Sequence, residues 1–165
     1  MTKTNNNKLS KHARSEIDRW IKKYPADQKQ SAVLAALREV QHENQGYLTR
    51  ELMDAVAEYL EMPPIAVYEV GSFYSMLETE KVGRHSISVC TNISCMLNGS
   101  DTIMQHIEKK LGIKEGESTE DGRYHLKQEE ECLAACCGAP MMMVDHIYHE
   151  NLTTEMVDDI LDKLE

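Results

Sequence analysis

Five cysteines confined to one stretch set the terms on which this chain can fold. Cys90 and Cys95 are separated by four residues, Cys132 and Cys136 by three, with 36 residues between the pairs and Cys137 directly after Cys136. If the intervening segment folds back on itself, the two pairs make a four-thiolate pocket. Such a pocket suits a metal centre, and one-electron chemistry rather than bond-making on a substrate.

Three chemistries compete for it. A dithiol redox couple is usually C-x-x-C with a depressed thiol pKa; no C-x-x-C is present, and adjacent Cys136 and Cys137 would make a strained disulfide. Structural zinc takes four cysteines, typically on tight two-residue knuckles, so these spacings are possible but untypical for it. A [2Fe–2S] cluster needs two thiolates on each iron, a wider object that longer loops can span. Gly99, Ala134, Ala135 and Gly138 are small enough to let backbone approach the sulfurs, and Pro140 stiffens the second loop. Spacing leans towards iron–sulfur. It does not choose between Cys136 and Cys137.

At 165 residues the chain is one ordinary domain or two small ones. Its net charge of −10 argues against nucleic acid, whose binders present a basic face to phosphate, and against docking directly on an anionic membrane. No apolar run approaches the roughly 20 residues of a spanning helix. The polar start MTKTNNNKLSKHAR is neither a secretory signal nor a transit peptide and reads as a frayed tail. Without a signal, the cysteines point to a reducing compartment.

Residues 1–9 are expected to be disordered and 10–80 to form a helical bundle. Ala13, Ile17, Trp20 and Ile21 share a helical face that ends at Tyr24-Pro25. A second helix is expected from about Lys29 to Gln45, stopped by Gly46. Thr49 caps a third, with Leu52, Val56, Tyr59 and Leu60 inward, and Pro64 opens a fourth through Val67 and Val70. A helix-turn-helix DNA reader would share this outline, but the charge speaks against it. Phe73-Tyr74 is assigned to core at the junction between the halves.

Residues 81–165 are expected to form the second domain, and at Gly83 the period changes. Ile87 and Val89 alternate with Ser86 and Ser88 in a strand that delivers Cys90, and residues 91–97 read as a loop carrying Cys95. Ser100 or Asp101 caps a helix that Gly112 ends. Tyr124 and Leu126 mark a second strand, Cys132–Pro140 a loop, and Met141–Val144 and Ile147-Tyr148 a hairpin. Leu152-Thr153-Thr154-Glu155 starts the closing helix. The order β-α-β-β-β-α puts both cysteine pairs in loops after strands, at one end of a sheet. His85, His146 and His149 read as surface or hydrogen-bonded residues, Met141–Met143 as strand core, and Glu129–Glu131 as a solvated edge. No phosphate loop, Ser–His–Asp arrangement or flavin fingerprint is present, so no catalytic residue is assigned.

Val89-Cys90-x₄-Cys95-x₃-Gly99, followed by Glu131-Cys132-Leu133-x₂-Cys136-x₃-Pro140, resembles the thioredoxin-like [2Fe–2S] ferredoxin family. The likeness extends to Gln45-Gly46-Tyr47-Leu48, Val67-Tyr68-Glu69-Val70, Phe73-Tyr74 and Leu152-Thr153, and covers roughly residues 10–165. It implies an α+β chain: a helical bundle followed by a thioredoxin-like α/β domain. It also implies that Cys90, Cys95, Cys132 and Cys136 ligate one [2Fe–2S] cluster, with Cys137 at a variable position. Members of this kind serve as electron-transfer subunits in the NADH-dehydrogenase module of respiratory complex I, taking one electron from reduced FMN. FMN and NADH are then expected in a partner subunit, not here, and the isolated chain should not turn over. The expected place is cytoplasmic, at the inner face of the bacterial membrane through the assembled complex. NAD-dependent formate dehydrogenases and NAD-reducing hydrogenases use an equivalent module. A zinc-stabilised interaction module is the alternative of another class. The family pattern usually has Ala-Thr where Gly71-Ser72 stand, Phe at Leu77, and Gly at Ala134.

Overall fold

Three of the four helices in the first half begin where a side chain satisfies, or a proline removes, an orphan backbone donor. The computed structural model describes residues 9–128 and 132–164. These divide into two compact units, Met1–Lys81 and Val82–Glu165, and the expectation for Glu129–Glu131 lies outside the described residues.

In the first unit, Ser10 Oγ accepts a 2.9 Å bond from Ala13 N and starts α1, Lys11–Ile21. The second helix is shorter than its sequence pattern suggests. A 3-10 turn, Lys29–Ala32, leads into α2, Val33–Glu43. The chain leaves α2 through Gln45 and Gly46, both at positive φ, with Gly46 N donating back to Gln41 O at 2.9 Å. Thr49 Oγ1 caps α3, Arg50–Leu60, and Pro64 is the first residue of α4, Pro64–Phe73, where a missing N–H costs nothing. Ala13, Ile17, Leu37, Val40, Val56, Leu60 and Val67 form the core between these helices.

Two expectations need correcting here. Residues 1–8 are outside the described residues, but Leu9, assigned to the disordered tail, is buried and packs in this core. Phe73, assigned to core, is 78% exposed, and Tyr74 is 38% exposed and edge-on to it. The inward face of α4 is already filled by Val67 and Gly71, which turns position 73 outward. The segment after α4 is tied to α2 instead: Gln41 Nε2 donates to Met76 O at 3.0 Å, and its Oε1 accepts from Glu78 N at 2.7 Å.

The second unit is a four-stranded sheet in the order β2-β1-β3-β4, with β1 His85–Val89, β2 Tyr124–Leu126, β3 Met142–Val144 and β4 Ile147–His149. β1 and β2 are parallel, His85 opposite Tyr124; β1 and β3 are antiparallel, Val89 opposite Met142. The parallel pair is joined through α5, Ile93–Leu97, and α6, Ser100–Leu111, while α7, Thr154–Leu161, closes the chain behind its Thr153 cap. Ile87, Val89, Ile107, Leu126, Met142, Val157 and Leu161 fill the core, joined by the Tyr124 ring. Each fully buried aliphatic side chain of this kind contributes about 1.5–3 kcal/mol.

Gly83 is required by geometry, since a Cβ there would overlap the Tyr124 carbonyl. α6 does not use Ser100 or Asp101 as its cap; Gly99 at φ +91° takes that place and Ser100 is fully buried. The outer edge of β2 is covered by its own loop, with Leu126 N donating to Glu117 O at 3.0 Å and Thr119 N to Tyr124 O at 2.9 Å. β4 lies at the other edge, with Ile147 and Tyr148 63% and 49% exposed. Between the two long helices, Lys110 Nζ of α6 pairs with Asp158 (3.0 Å) and Asp162 (2.7 Å), and His106 Nε2 with Asp158 at 2.8 Å.

Candidate metal centre

β1 ends by delivering Cys90 into the interior, 2% exposed. Its N–H donates to Met141 O at 3.2 Å, which carries the β1–β3 pairing one step past Val89 and Met142. The sequence expects a loop at residues 91–97. The structure has the short helix α5 instead, because Asn92 Oδ1 accepts from Ile93 N at 2.7 Å and nucleates it. One face of α5 carries Cys95, 1% exposed, while Ile93 and Leu97 stand outward, 67% and 76% exposed. Cys90 and Cys95 form a small apolar cluster with Met141, against which Leu133, Ala135 and Ala139 pack.

The second pair sits on a different kind of backbone. Cys136 opens a 3-10 turn, Cys136–Gly138, closed by Gly138 N donating to Ala135 O at 3.0 Å. Cys132, Cys136 and Cys137 are all exposed. The Cys132 and Cys136 sulfurs are 3.7 Å apart, and Ala134 N points at Cys132 Sγ from 3.4 Å. Ala134 takes φ +62°, a left-handed conformation that costs a residue with a Cβ about 1–2 kcal/mol. Glycine would take this conformation without that cost. The loop is held from behind: Asn151 N donates to Gly138 O at 2.7 Å and Leu152 N to Pro140 O at 2.9 Å.

The Cys95 thiol reports on both pairs. Burial pushes it up to about 11, the hydrogen bond with Cys90 adds to this, and the charges of Cys90 and Cys136 act in the same direction; a bond to the Met141 backbone opposes them and is outweighed. Without a cation the pocket therefore keeps Cys95 protonated. A metal reverses that preference, since a coordinating thiol gives up its proton to the ion. Cys90 and Cys95 share one apolar cluster, the Cys132 and Cys136 sulfurs lie 3.7 Å apart, and Leu133 and Ala135 between the latter two pack against the former. An all-sulfur donor set of this kind selects zinc, copper(I) or iron–sulfur, so the residues present fit a [2Fe–2S] cluster.

Met141 is the residue that sequence reasoning undervalues. Read as strand core, it is 1% exposed, and it also offers its carbonyl to Cys90. Its place directly after Pro140, at the mouth of β3, is the only signal in the sequence. His85 behaves as expected, its Nδ1 2.6 Å from Asp145 Oδ2. A second group of metal-ligand types, His12, Glu39 and Glu43, lies on α1 and α2. Those atoms are engaged locally, His12 with Glu39 at 3.3 Å and Glu43 with Ser10 Oγ at 2.7 Å, and no site is assigned there.

The family model described as thioredoxin-like [2Fe–2S] ferredoxin matches residues 17–165. A subunit of the NADH-quinone oxidoreductase of Rickettsia conorii is 43% identical over 164 residues, covering 99% of this chain and 98% of that protein. The corresponding protein of Rickettsia felis is 46% identical over 143 residues, 87% of this chain and 85% of that protein. The mitochondrial NADH dehydrogenase [ubiquinone] flavoprotein 2 of Dictyostelium discoideum is 38% identical over 149 residues, covering 90% of this chain and 60% of that protein. Among solved structures, an air-oxidised NAD⁺-reducing [NiFe]-hydrogenase superposes with a TM-score of 0.69 at 20% identity, over 80% of this chain and 22% of that one. At that identity the superposition establishes the fold alone.

Proposed function

Because the chain belongs to the thioredoxin-like [2Fe–2S] ferredoxin family, we propose that Cys90, Cys95, Cys132 and Cys136 hold one [2Fe–2S] cluster. We further propose that the chain works as the small electron-transfer subunit of a bacterial NADH:quinone oxidoreductase, beside a partner subunit that binds FMN and NADH. The observation that carries this reading is the buried Cys90 and Cys95 pair, against which Leu133 and Ala135 of the second cysteine loop pack, while the Cys132 and Cys136 sulfurs of that loop lie 3.7 Å apart. The near full-length relatives named as NADH-quinone oxidoreductase subunits support this complex over formate dehydrogenases and hydrogenases with an equivalent module.

A bound cluster would supply a centre that takes up and releases one electron. The chain's own residues divide the surrounding labour. Cys90, Cys95 and Met141 close the inner side and exclude water, which raises the cost of added negative charge there. Ala134 N–H, directed at Cys132 Sγ, offsets some of that charge. Cys132 and Cys136 lie on the exposed side, and through that side we assign electron exchange with the flavin subunit. Binding of FMN and NADH is left to that partner, in keeping with this chain's role as one component of the enzyme. None of the described helices is long and apolar enough to cross a membrane; a place at the inner face of the membrane would come through the complex.

Anaerobic purification with iron, sulfide and zinc analysis tests the cofactor. The expected result is about two irons and two sulfides per chain, with an S = 1/2 EPR signal after dithionite reduction. One zinc with no such signal would convert the reading to a zinc-stabilised module. Cys132→Ser and Cys136→Ser should abolish or alter the signal, and Cys137→Ser should leave it intact. Co-purification of an FMN-containing protein with the tagged chain tests the partner.

A further inference from the structure

The second cysteine loop has a support that the ligand pattern does not describe. Gly138, two residues after Cys136, is buried, and a Cβ built on it would overlap Glu150 Oε2 and lie 2.5 Å from Glu150 Cβ and 2.6 Å from Glu150 Cδ. The Glu150 side chain therefore lies flat across the Gly138 backbone. The clash includes Cβ, next to the main chain, so a rotamer change cannot relieve it. The following two residues complete the strap, with Asn151 N bound to Gly138 O at 2.7 Å and Leu152 N to Pro140 O at 2.9 Å. Asn151 adopts a left-handed φ of +52° to bring its N–H round.

We propose that Glu150 is a positioning residue for the cysteine centre: its side chain clamps the Cys136–Gly138 turn against the strap after β4, and its carboxylate makes the loaded centre harder to reduce. This rests on the cluster assignment above. The steric half follows from the contact itself, because a cysteine on an exposed 3-10 turn is held only as well as the turn is. The electrostatic half follows from reach. Two residues span at most about 7 Å, so a carboxylate in contact with Gly138 stands within roughly 10 Å of Cys136. Glu150 is exposed, so solvent screens it and the effect is modest. A negative charge there still opposes the arrival of another on the sulfurs.

Two substitutions separate shape from charge. Glu150→Gln keeps the contact and removes the charge. In the cluster-loaded protein at a fixed solution potential, it should raise the ratio of reduced to oxidised centre about two- to tenfold, and the gain should shrink as salt is added. Gly138→Ala should shorten the lifetime of the cluster, followed by visible absorbance under chelator, by several-fold. Adding Glu150→Gly to Gly138→Ala should restore most of that lifetime, because it removes the atoms the new methyl meets. Glu150→Gly alone, which is expected to fold, should shorten the lifetime less than Gly138→Ala does. Failure of the wild-type chain to take up two irons and two sulfides overturns the cluster assignment itself. A wild-type chain that loads normally, with no change in the ratio for Glu150→Gln and no rescue in the double variant, overturns the role of Glu150 alone.

Discussion

Ala134 shows how one residue can be legible in a sequence for its consequence and opaque for its cause. Its departure from glycine is visible beside Cys132-Leu133, but only the backbone reveals φ +62°. Ala134→Gly should therefore stabilise the metal-free protein by about 1 kcal/mol, read as a higher midpoint in urea with an unchanged slope. Tyr124 makes the complementary case. Its phenol donates to Leu161 O at 2.7 Å in the interior, and burial, the main cause, raises its pKa. Tyr124→Phe removes the donor and leaves a buried carbonyl without it, so unfolding should become easier by about 1–2 kcal/mol. The alternation of Tyr124 with Leu126 marks a strand; the partner of the hydroxyl, 37 residues away, has no local signal.

At the level of elements, caps are the most readable feature. Ser10, Thr49 and Thr153 all accept from a backbone N–H three residues on, as their residue type dictates. α5 escapes a sequence reading because a five-residue helix has no periodicity to detect; its only cue is the Asn92 cap. Phe73 is misplaced by its sequence because an aromatic residue at the end of a helix carries no information about which side of the last turn faces inward. The α6–α7 pairing is invisible in the sequence because His106 and Asp158 are 52 residues apart. The hydrogen bond from His106, and then that from Lys110, hold the Asp158 carboxyl below its ordinary value. The stability this adds is present above the unfolded carboxylate pKa of about 3.9 and is lost as pH falls through the lower folded value. Asp158→Asn should flatten the acid limb of a Tm-versus-pH curve below about pH 5, while the wild-type curve falls there.

The molecule as a whole places two buried thiols on rigid elements and three exposed thiols on a turn and its approach. Cys90 is fixed by the end of a strand and Cys95 by a helix, whereas Cys136 depends on a 3-10 turn. The sequence puts all of them at one end of the sheet because strand order and cysteine position agree. It does not show their unequal burial, which arises from how Met141 and α5 pack. Loading should stabilise such a centre, because a cofactor that binds the folded chain alone adds its binding energy to folding. Stripping it with chelator and reductant should lower the Tm, measured by circular dichroism, and restoring iron and sulfide should recover it.

The two borders of the sheet have different prospects outside an assembly. The loop at residues 116–119 seals β2, but among the described residues nothing pairs with the outer side of β4, where Ile147 and Tyr148 are exposed. An uncovered border with apolar side chains and no lysine or proline invites another strand to continue the sheet. The isolated chain at high concentration is thus a solubility hazard that begins at this border. Tyr148→Lys should keep concentrated preparations clear by light scattering where the parent turns cloudy.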